Sequence, residues 1–287
     1  MAYAVITPVR NEQDNLPRLA ESILSQTQQP QRWVIVDNGS EDRTRPIALE
    51  LAARHRWVET LIVDDAGTAG RGAPIVRSLH AGIAQLRPDL PKLVVAVDAD
   101  VSFRSDFFAR LLGEFERDPE LGIASGSGWE RRRGRWVQRH LTGSTVWGAT
   151  RAYRRECLEA VLPLEERVGW DGIDELKANA AGWDTRIVLD LPFLHHRREG
   201  ERDGAWRMRV EQGRTAHYMG YRSWYLLLRA AYNLRADAAA PGLVVGYGTA
   251  VLKREPRLRS DSARAYLRRQ QHPRNLSARA REALGRR

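Results

Sequence analysis

The sequence predicts an α/β fold, with a mostly parallel sheet, helices on both of its faces, and a helical, basic C-terminal appendage. Three observations predict it. Through the first hundred residues, short apolar runs alternate with stretches of helical periodicity, the pattern of a parallel sheet with right-handed crossovers. Acids follow two of those runs directly, at Asp37 and at Asp98 and Asp100, where an open α/β sheet binds its ligands. Beyond Gly200 the chain becomes rich in Trp, Tyr, Arg and Leu, then ends in an Arg-rich tail. The expected division is residues 1–200 and 201–287.

Ala4 to Ile6 make the first strand, left through Thr7-Pro8-Val9-Arg10-Asn11-Glu12. Leu16, Leu19, Ala20, Ile23 and Leu24 then recur at helical spacing. Trp33 to Val36 form a second strand ending in Asp37-Asn38-Gly39-Ser40. Pro46 opens a helix through Ala53, where its missing amide costs nothing, and Val58 to Val63 are a third strand. Gly67, Gly70 and Gly72 with Arg71 make a turn before a helix from Pro74 to Leu86. Their Gly-x-x-Gly-x-Gly order is not a dinucleotide fingerprint.

Leu93 to Val97, five consecutive apolar residues, read as a buried strand. Asp98 and Asp100, one residue apart at its end, point to the same side and suit a shared hard cation; a solvated turn is the ordinary alternative for an isolated pair. This first half has the architecture of a nucleotide-binding unit.

In the second half, Ser105 caps a helix carrying Phe107, Phe108, Leu111, Leu112 and Phe115. Leu121 to Ala124 read as a strand, Gly126 to Gly134 as a loop with Arg131-Arg132-Arg133, and Arg151 to Val161 as a helix. Gly169-Trp170-Asp171-Gly172-Ile173-Asp174-Glu175 opens a further helix ending at Gly182. Thr185 to Leu189 are a strand, followed by Pro192-Phe193-Leu194-His195-His196-Arg197.

The net charge of +10 is concentrated in the tail, where residues 253–287 hold 12 basic and 3 acidic residues against 34 and 33 in residues 1–252. A nucleic-acid module driven by that tail would leave the strand-end acids unexplained, so no nucleic acid is expected as partner. The single Cys157 rules out an internal disulfide and fits a reducing compartment. No secretory leader is expected, and no uninterrupted apolar run reaches the roughly 20 residues of a spanning helix.

Together, Ile6-Thr7-Pro8-Val9-Arg10-Asn11-Glu12, Val36-Asp37-Asn38-Gly39-Ser40-Glu41-Asp42-Arg43-Thr44, Val97-Asp98-Ala99-Asp100 and the Gly169-Trp170-Asp171 segment resemble the family 2 glycosyltransferases of GT-A (Rossmann-like) fold. The resemblance covers residues 4 to about 196. It implies a nucleotide-binding half at 1–100, an acceptor half at 101–200, and nucleotide-sugar contacts from Thr7, Pro8, Glu12, Asp37 and Asp98. Arg71 and Arg77 are both candidates for the base. The resemblance implies a divalent cation, Mn2+ or Mg2+, at Asp100, completed by His195 or His196; the alternative for the two histidines is plain hydrogen bonding. It implies a catalytic base at Asp171, where Trp170 stands in place of the family's usual Glu. Asp174 is the rival, one helical turn on.

The chemistry demands such groups. An inverting transfer needs a carboxylate that takes the acceptor's proton, and a positive charge against the departing diphosphate. A base near a helix N-terminus is held ionised. The expected reaction moves a sugar from a nucleoside diphosphate-sugar to a lipid-linked or polysaccharide acceptor. The enzymatic rival, a sugar-phosphate nucleotidyltransferase, would carry a Gly-rich, Arg-bearing loop where this chain has Thr7 to Glu12.

Arg131 to Arg133 suit an acceptor phosphate or a solvated loop equally. Tyr218, Tyr221, Trp224, Tyr225, Leu226 to Leu228, Arg229 and Tyr232 combine amphipathic rings with basic residues, and Ala238 to Leu252 are uncharged but broken by Pro241, Gly242, Gly246 and Gly248. A core-packing helix is the default for the first; an interfacial or re-entrant element fits the second. With the tail they suggest attachment to an anionic membrane surface, hence a cytoplasmic, peripheral location at the inner face.

Overall fold

The structure, a computed structural model, describes residues 1–63, 72–132, 134–139, 146–197, 204–235 and 237–276. Gly67, Gly70, Arg71, Arg133 and the end of the basic tail from 277 lie outside the described residues.

The strands are β1 (Tyr3–Val9), β2 (Arg32–Asp37), β3 (Val58–Ile62), β4 (Leu93–Val97), β5 (Val101–Phe103), β6 (Leu121–Arg132), β7 (Arg135–Gln138), β8 (Thr150–Arg154) and β9 (Asp184–His195). Helices α1 (Leu16–Leu24), α2 (Thr44–Arg54), α3 (Ala73–Leu86), α4 (Phe107–Arg117), α5 (Arg155–Val161) and α6 (Trp170–Ala180) belong to the sheet's two covering layers. Helices α7 (Ala205–Met219), α8 (Ser223–Asn233), α9 (Gly242–Leu252) and α10 (Asp261–Gln270) follow. The described strands run in the order β3-β2-β1-β4-β8-β6-β9-β5, with β7 paired to β6. The first four are parallel, as are β6 and β9; β8 runs antiparallel to both β4 and β6 and joins the two parallel parts.

The period-2 alternation of β1, β2 and β4 divides the core in two. Tyr3, Val5, Trp33, Ile35, Leu93 and Val95 face α1, α2 and α4, whereas Ala4, Ile6, Val34, Val36, Val94 and Ala96 face α3, α5 and α6. Helices therefore cover both faces, as the sequence predicts, and Cys157 lies buried on the second.

Several elements differ from the sequence reading. The stretch Arg151 to Val161 is not one helix: Thr150–Arg154 is strand β8, and only Arg155–Val161 is helical. The Gly126 to Gly134 loop is largely strand β6, running to Arg132. A Cβ at Gly126 would overlap the Leu191 carbonyl and Phe107, and one at Gly128 would press on Trp147 and Phe193. Strand β9 continues to His195, well past Leu189. Asp106 rather than Ser105 occupies the N-cap of α4, without a side-chain cap bond.

The uncharged stretch ending at Leu252 contains α9, which packs along α7. A Cβ at Gly213 would overlap the Leu243 carbonyl, and one at Gly246 that of Val210. The glycines thus permit backbone-to-backbone approach of two helices. No described helix is long and apolar enough to cross a membrane. Helix α10 docks on α6 through Ala263 and Leu267 against Ile173 and Leu176.

Candidate active site

Strand β4 delivers its acids at the sheet's carboxyl edge. The Asp98 N–H donates to the Ala149 carbonyl at 3.0 Å, and the Asp100 carbonyl accepts from the His196 N–H at 2.8 Å. Asp98, Asp100 and His195 each bring a ligand atom within 4.8 Å of the others. His195 Nε2 lies 3.2 Å from Asp100 Oδ1, while its Nδ1 is buried without a hydrogen-bond partner.

Burial, then the charge of Asp100, pushes the Asp98 carboxyl up to about 7. Burial acts on Asp100 in the same direction, but the hydrogen bond and charge of His195 and the charge of Arg197 hold it below the usual carboxylate range. For His195, desolvation favours the neutral ring, yet the Asp100 hydrogen bond and charge raise it overall. Two carboxylates and an imidazole crowded in this way repel or hold protons when alone. Two hard oxygens and one nitrogen are also a donor set a divalent cation accepts, so the residues fit one.

Adjacent residues on a strand face opposite ways, which separates the two histidines. His196 Nε2 meets Ser102 Oγ at 2.8 Å, and its ring stands edge-on to Trp136 at 5.5 Å. Burial lowers its pKa. Arg197, next in the chain, grips Glu12 with two 2.7 Å hydrogen bonds and comes within 3.6 Å of Asp100. Glu12 is anchored at its own N–H by Thr44 Oγ1, at 2.7 Å.

The two candidate bases on α6 occupy different surroundings. Asp171 lies in the first turn, after Gly169 in the left-handed region at φ 78°. An ideal Cβ on Gly148 would stand 3.6 Å from its Oδ2. Because Ala149, the next residue, holds the Asp98 N–H, one short segment touches both acids, and the charge of Asp171 contributes to raising Asp98. Asp174 instead points into the core, where Arg151 binds it at 2.6 and 3.2 Å and the Tyr153 hydroxyl donates a further short bond. Burial raises the Asp174 carboxyl to about 6. The neighbouring Glu175, also raised by burial, to about 7, accepts from the Val146 N–H and the Thr185 hydroxyl.

At the carboxyl end of β2, Asp37 is fully buried, accepting from the Ser40 N–H at 3.1 Å and from Arg45 at 2.7 Å. Thr7 Oγ1 accepts the Trp33 indole N–H at 3.0 Å, and Pro8 is half-buried on the same strand. Asn38, behind Asp37, leaves its buried Oδ1 without a partner. Arg77 gives its Nε to Glu166 at 2.7 Å. Arg71 lies outside the described residues.

Sequence reasoning assigned no role to Arg197, although it directly follows the histidines at a strand end. It also missed Arg151, fully buried in β8, because a charge at the start of what reads as a helix suggests a solvated position. The Glu130 and Arg139 pair, 2.9 Å apart with Arg139 over the Trp147 ring, was hidden in what read as loop.

The undecaprenyl-phosphate 4-deoxy-4-formamido-L-arabinose transferase of Pseudomonas fluorescens is 28% identical over 213 residues, which cover 68% of this chain and 58% of that one. The chain thus matches little more than half the length of such relatives. Among solved structures, the mannosyltransferase of Pyrobaculum calidifontis in complex with GDP-mannose and Mn2+ superposes over 98% of this chain and 84% of its own, with a TM-score of 0.57 and 19% identity. Glucosyl-3-phosphoglycerate synthase of Mycobacterium tuberculosis, with Mn2+, UDP and product, does so over 77% and 81%, with a TM-score of 0.55 and 20% identity. The architecture is the GT-A fold. Residues 4–162 match the description Glycosyl transferase family 2, and the chain belongs to that family.

Proposed function

We propose that this chain is a metal-dependent, inverting glycosyltransferase that moves a sugar from a nucleoside diphosphate-sugar to a lipid-linked or polysaccharide acceptor. The observation that carries the reading is the convergence of Asp98, Asp100 and His195 with the Asp171 end of α6, across the Gly148-Ala149 segment. Asp37, opposite Val9 at the end of the strand that carries Thr7 and Pro8, would accept from a nucleoside by exchanging its Arg45 partner, and the buried Asn38 Oδ1 next to it is an acceptor without a partner. In this reading Asp98 contacts the ribose, and Glu12 holds Arg197 within 3.6 Å of Asp100.

Asp100 and His195 with Asp98 would hold a divalent cation, Mn2+ or Mg2+, which would supply Lewis-acid stabilisation of the departing diphosphate. Asp171 accepts the acceptor hydroxyl's proton as that oxygen attacks the anomeric carbon from the face opposite the diphosphate. One base and one displacement invert the configuration. Asp174, bound to Arg151 and Tyr153, is a positioning residue in this scheme. Arg151 keeps Asp171 in place through the backbone.

The acceptor class is supported by the relative named as an undecaprenyl-phosphate transferase. The cytoplasmic, peripheral location at the inner face follows from that class and from the basic tail. The test is to supply nucleoside diphosphate-sugars with Mn2+ and follow release of nucleoside diphosphate. Turnover lost in Asp171→Asn with donor binding kept, and a product of inverted anomeric configuration, support the scheme. Pyrophosphate release from nucleoside triphosphate and sugar phosphate would replace it with nucleotidyl transfer.

A further inference from the structure

An open cleft of about 600 Å³ lies in the C-terminal region, far along the chain from the strand-end acids. It is lined by Arg222, Arg257, Arg264, Arg268, Arg269 and His272, with Asp261 as its one acid. Three segments build it: the residue before α8, the linker from α9, and α10 with the turn after it. Asp261 is taken up by Arg264, its neighbour one turn on. Arg257 and Arg268 have no carboxylate partner among the described residues, and both are exposed.

Stability of α10 does not account for this density of charge. Its C-terminal dipole is served by Arg268 and Arg269, and its anchorage by Ala263 and Leu267 on α6. Arg222 and Arg257 come from other segments and repel the helix's own cations. The cleft walls are held by bonds that leave the guanidinium groups of Arg257 and Arg268 outward. Arg222 N–H donates to Gln271 Oε1 at 2.8 Å, and the Leu258 N–H to the Tyr218 carbonyl at 2.9 Å. Arginines from three segments line the cleft, Arg222 giving its Nε to the Arg268 carbonyl at 3.3 Å, and guanidinium groups match the oxygens of a phosphate.

We infer that this cleft binds a phosphate or diphosphate group, separately from the donor pocket. The chain on either side argues for a lipid headgroup as its source. Helix α8, which starts beside Arg222, exposes Leu227, Leu228 and the following Leu234; α9 exposes Val245 and Val251 and ends at Leu252, 85% exposed and five positions before Arg257. Apolar side chains beside a phosphate cleft are what an anionic bilayer surface rewards.

The experiment compares the full chain with R257Q/R268Q and with R56Q/R87Q, which removes the same charge from the first hundred residues. Each is sedimented with phosphatidylcholine vesicles, alone or containing 20% phosphatidylglycerol, and titrated with inorganic pyrophosphate in EDTA so that the cation site is silent. The wild type and R56Q/R87Q are expected to bind the anionic vesicles and pyrophosphate. R257Q/R268Q is expected to lose at least tenfold in both while keeping its Mn2+ affinity. Pyrophosphate binding without vesicle binding, lost in the same variant, assigns the site to a soluble phosphate instead. Equal losses in both double variants, or none in either, overturn the site.

Discussion

Arg151 and Asp171 are joined through the backbone: the Arg151 Nη2 donates to the Asp171 carbonyl at 2.7 Å and to Asp174 Oδ1 at 2.6 Å, while Nε binds Asp174 Oδ2 and Nη1 the Val146 carbonyl. One fully buried cation thus fixes the first turn of α6 to the segment that carries Trp147, Gly148 and Ala149. The Arg151 charge offsets the desolvated Asp174.

Replacing Arg151 with Met strands Asp174 in the core. The expected cost is about 3–5 kcal/mol, as for other broken buried pairs, read as a shift in urea midpoint. The double variant R151M/D174N should recover part of it. A single variant as stable as wild type would contradict the pairing.

Asp171→Asn and Asp174→Asn should separate chemistry from structure. The first is expected to lower kcat by about 10²–10⁴-fold, the usual weight of a general base, at unchanged melting temperature and donor affinity. The second is expected to lower the melting temperature. Reversed outcomes would move the base to Asp174.

His195→Ala should weaken Mn2+ binding by at least about tenfold, the scale of a lost ligand or ligand-orienting group, while His196→Ala leaves it within about twofold. Calorimetric titration reads both. Equal losses would place both rings around the cation.

The pH response follows from Asp98, whose folded carboxyl sits near 7 against the usual 3.8. A raised pKa means that its contribution to stability is fully present below the unfolded value and is lost as pH rises through the folded one. Without metal, Asp98→Asn should therefore match wild type near pH 4 and exceed it in melting temperature by pH 8. Mn2+ must displace that proton and the one held by His195, whose ring is raised above its usual 6.5, so wild-type affinity should climb from pH 5 through 7 and level off only once both are lost. A flat profile would remove Asp98 from the cation's neighbourhood.

Cys157, buried and with its thiol pushed up to about 12 by burial, should resist thiol reagents at pH 8 in the native protein and react on unfolding. Fast native labelling, measured by mass, would show that the α5 layer opens.

Strands β1, β2 and β4 were legible as nearly continuous apolar runs and α1 by its helical period, whereas β3, with Glu59 and Thr60 inside it, and α2, marked by Pro46, were legible mainly from their place in the alternation. Strand β8 was not. Thr150, Arg151, Ala152 and Tyr153 are all buried between β4 and β6, so no polar face marks the strand, and the helix after it begins at the next residue. Strand β6 hid behind Gly126 and Gly128, which look like loop residues but are small because aromatic rings lie against them. At the site, Asp98 and Asp100 could be read from a strand end, and so could the His195-His196 pair, but not which of the two faces the acids. The difference between Asp171 and Asp174 could not, since it depends on Arg151 arriving from a distant strand.

The α7–α9 contact changes what an uncharged, glycine-punctuated stretch tells a reader of sequences. Val244, Val245 and Gly246 suggest oil, yet the small residue among them is dictated by a peptide plane of the opposite helix. Any branched side chain introduced at Gly213 or Gly246 must wedge those two rods apart. Such a position is closed to substitution by carpentry, whatever the surrounding medium.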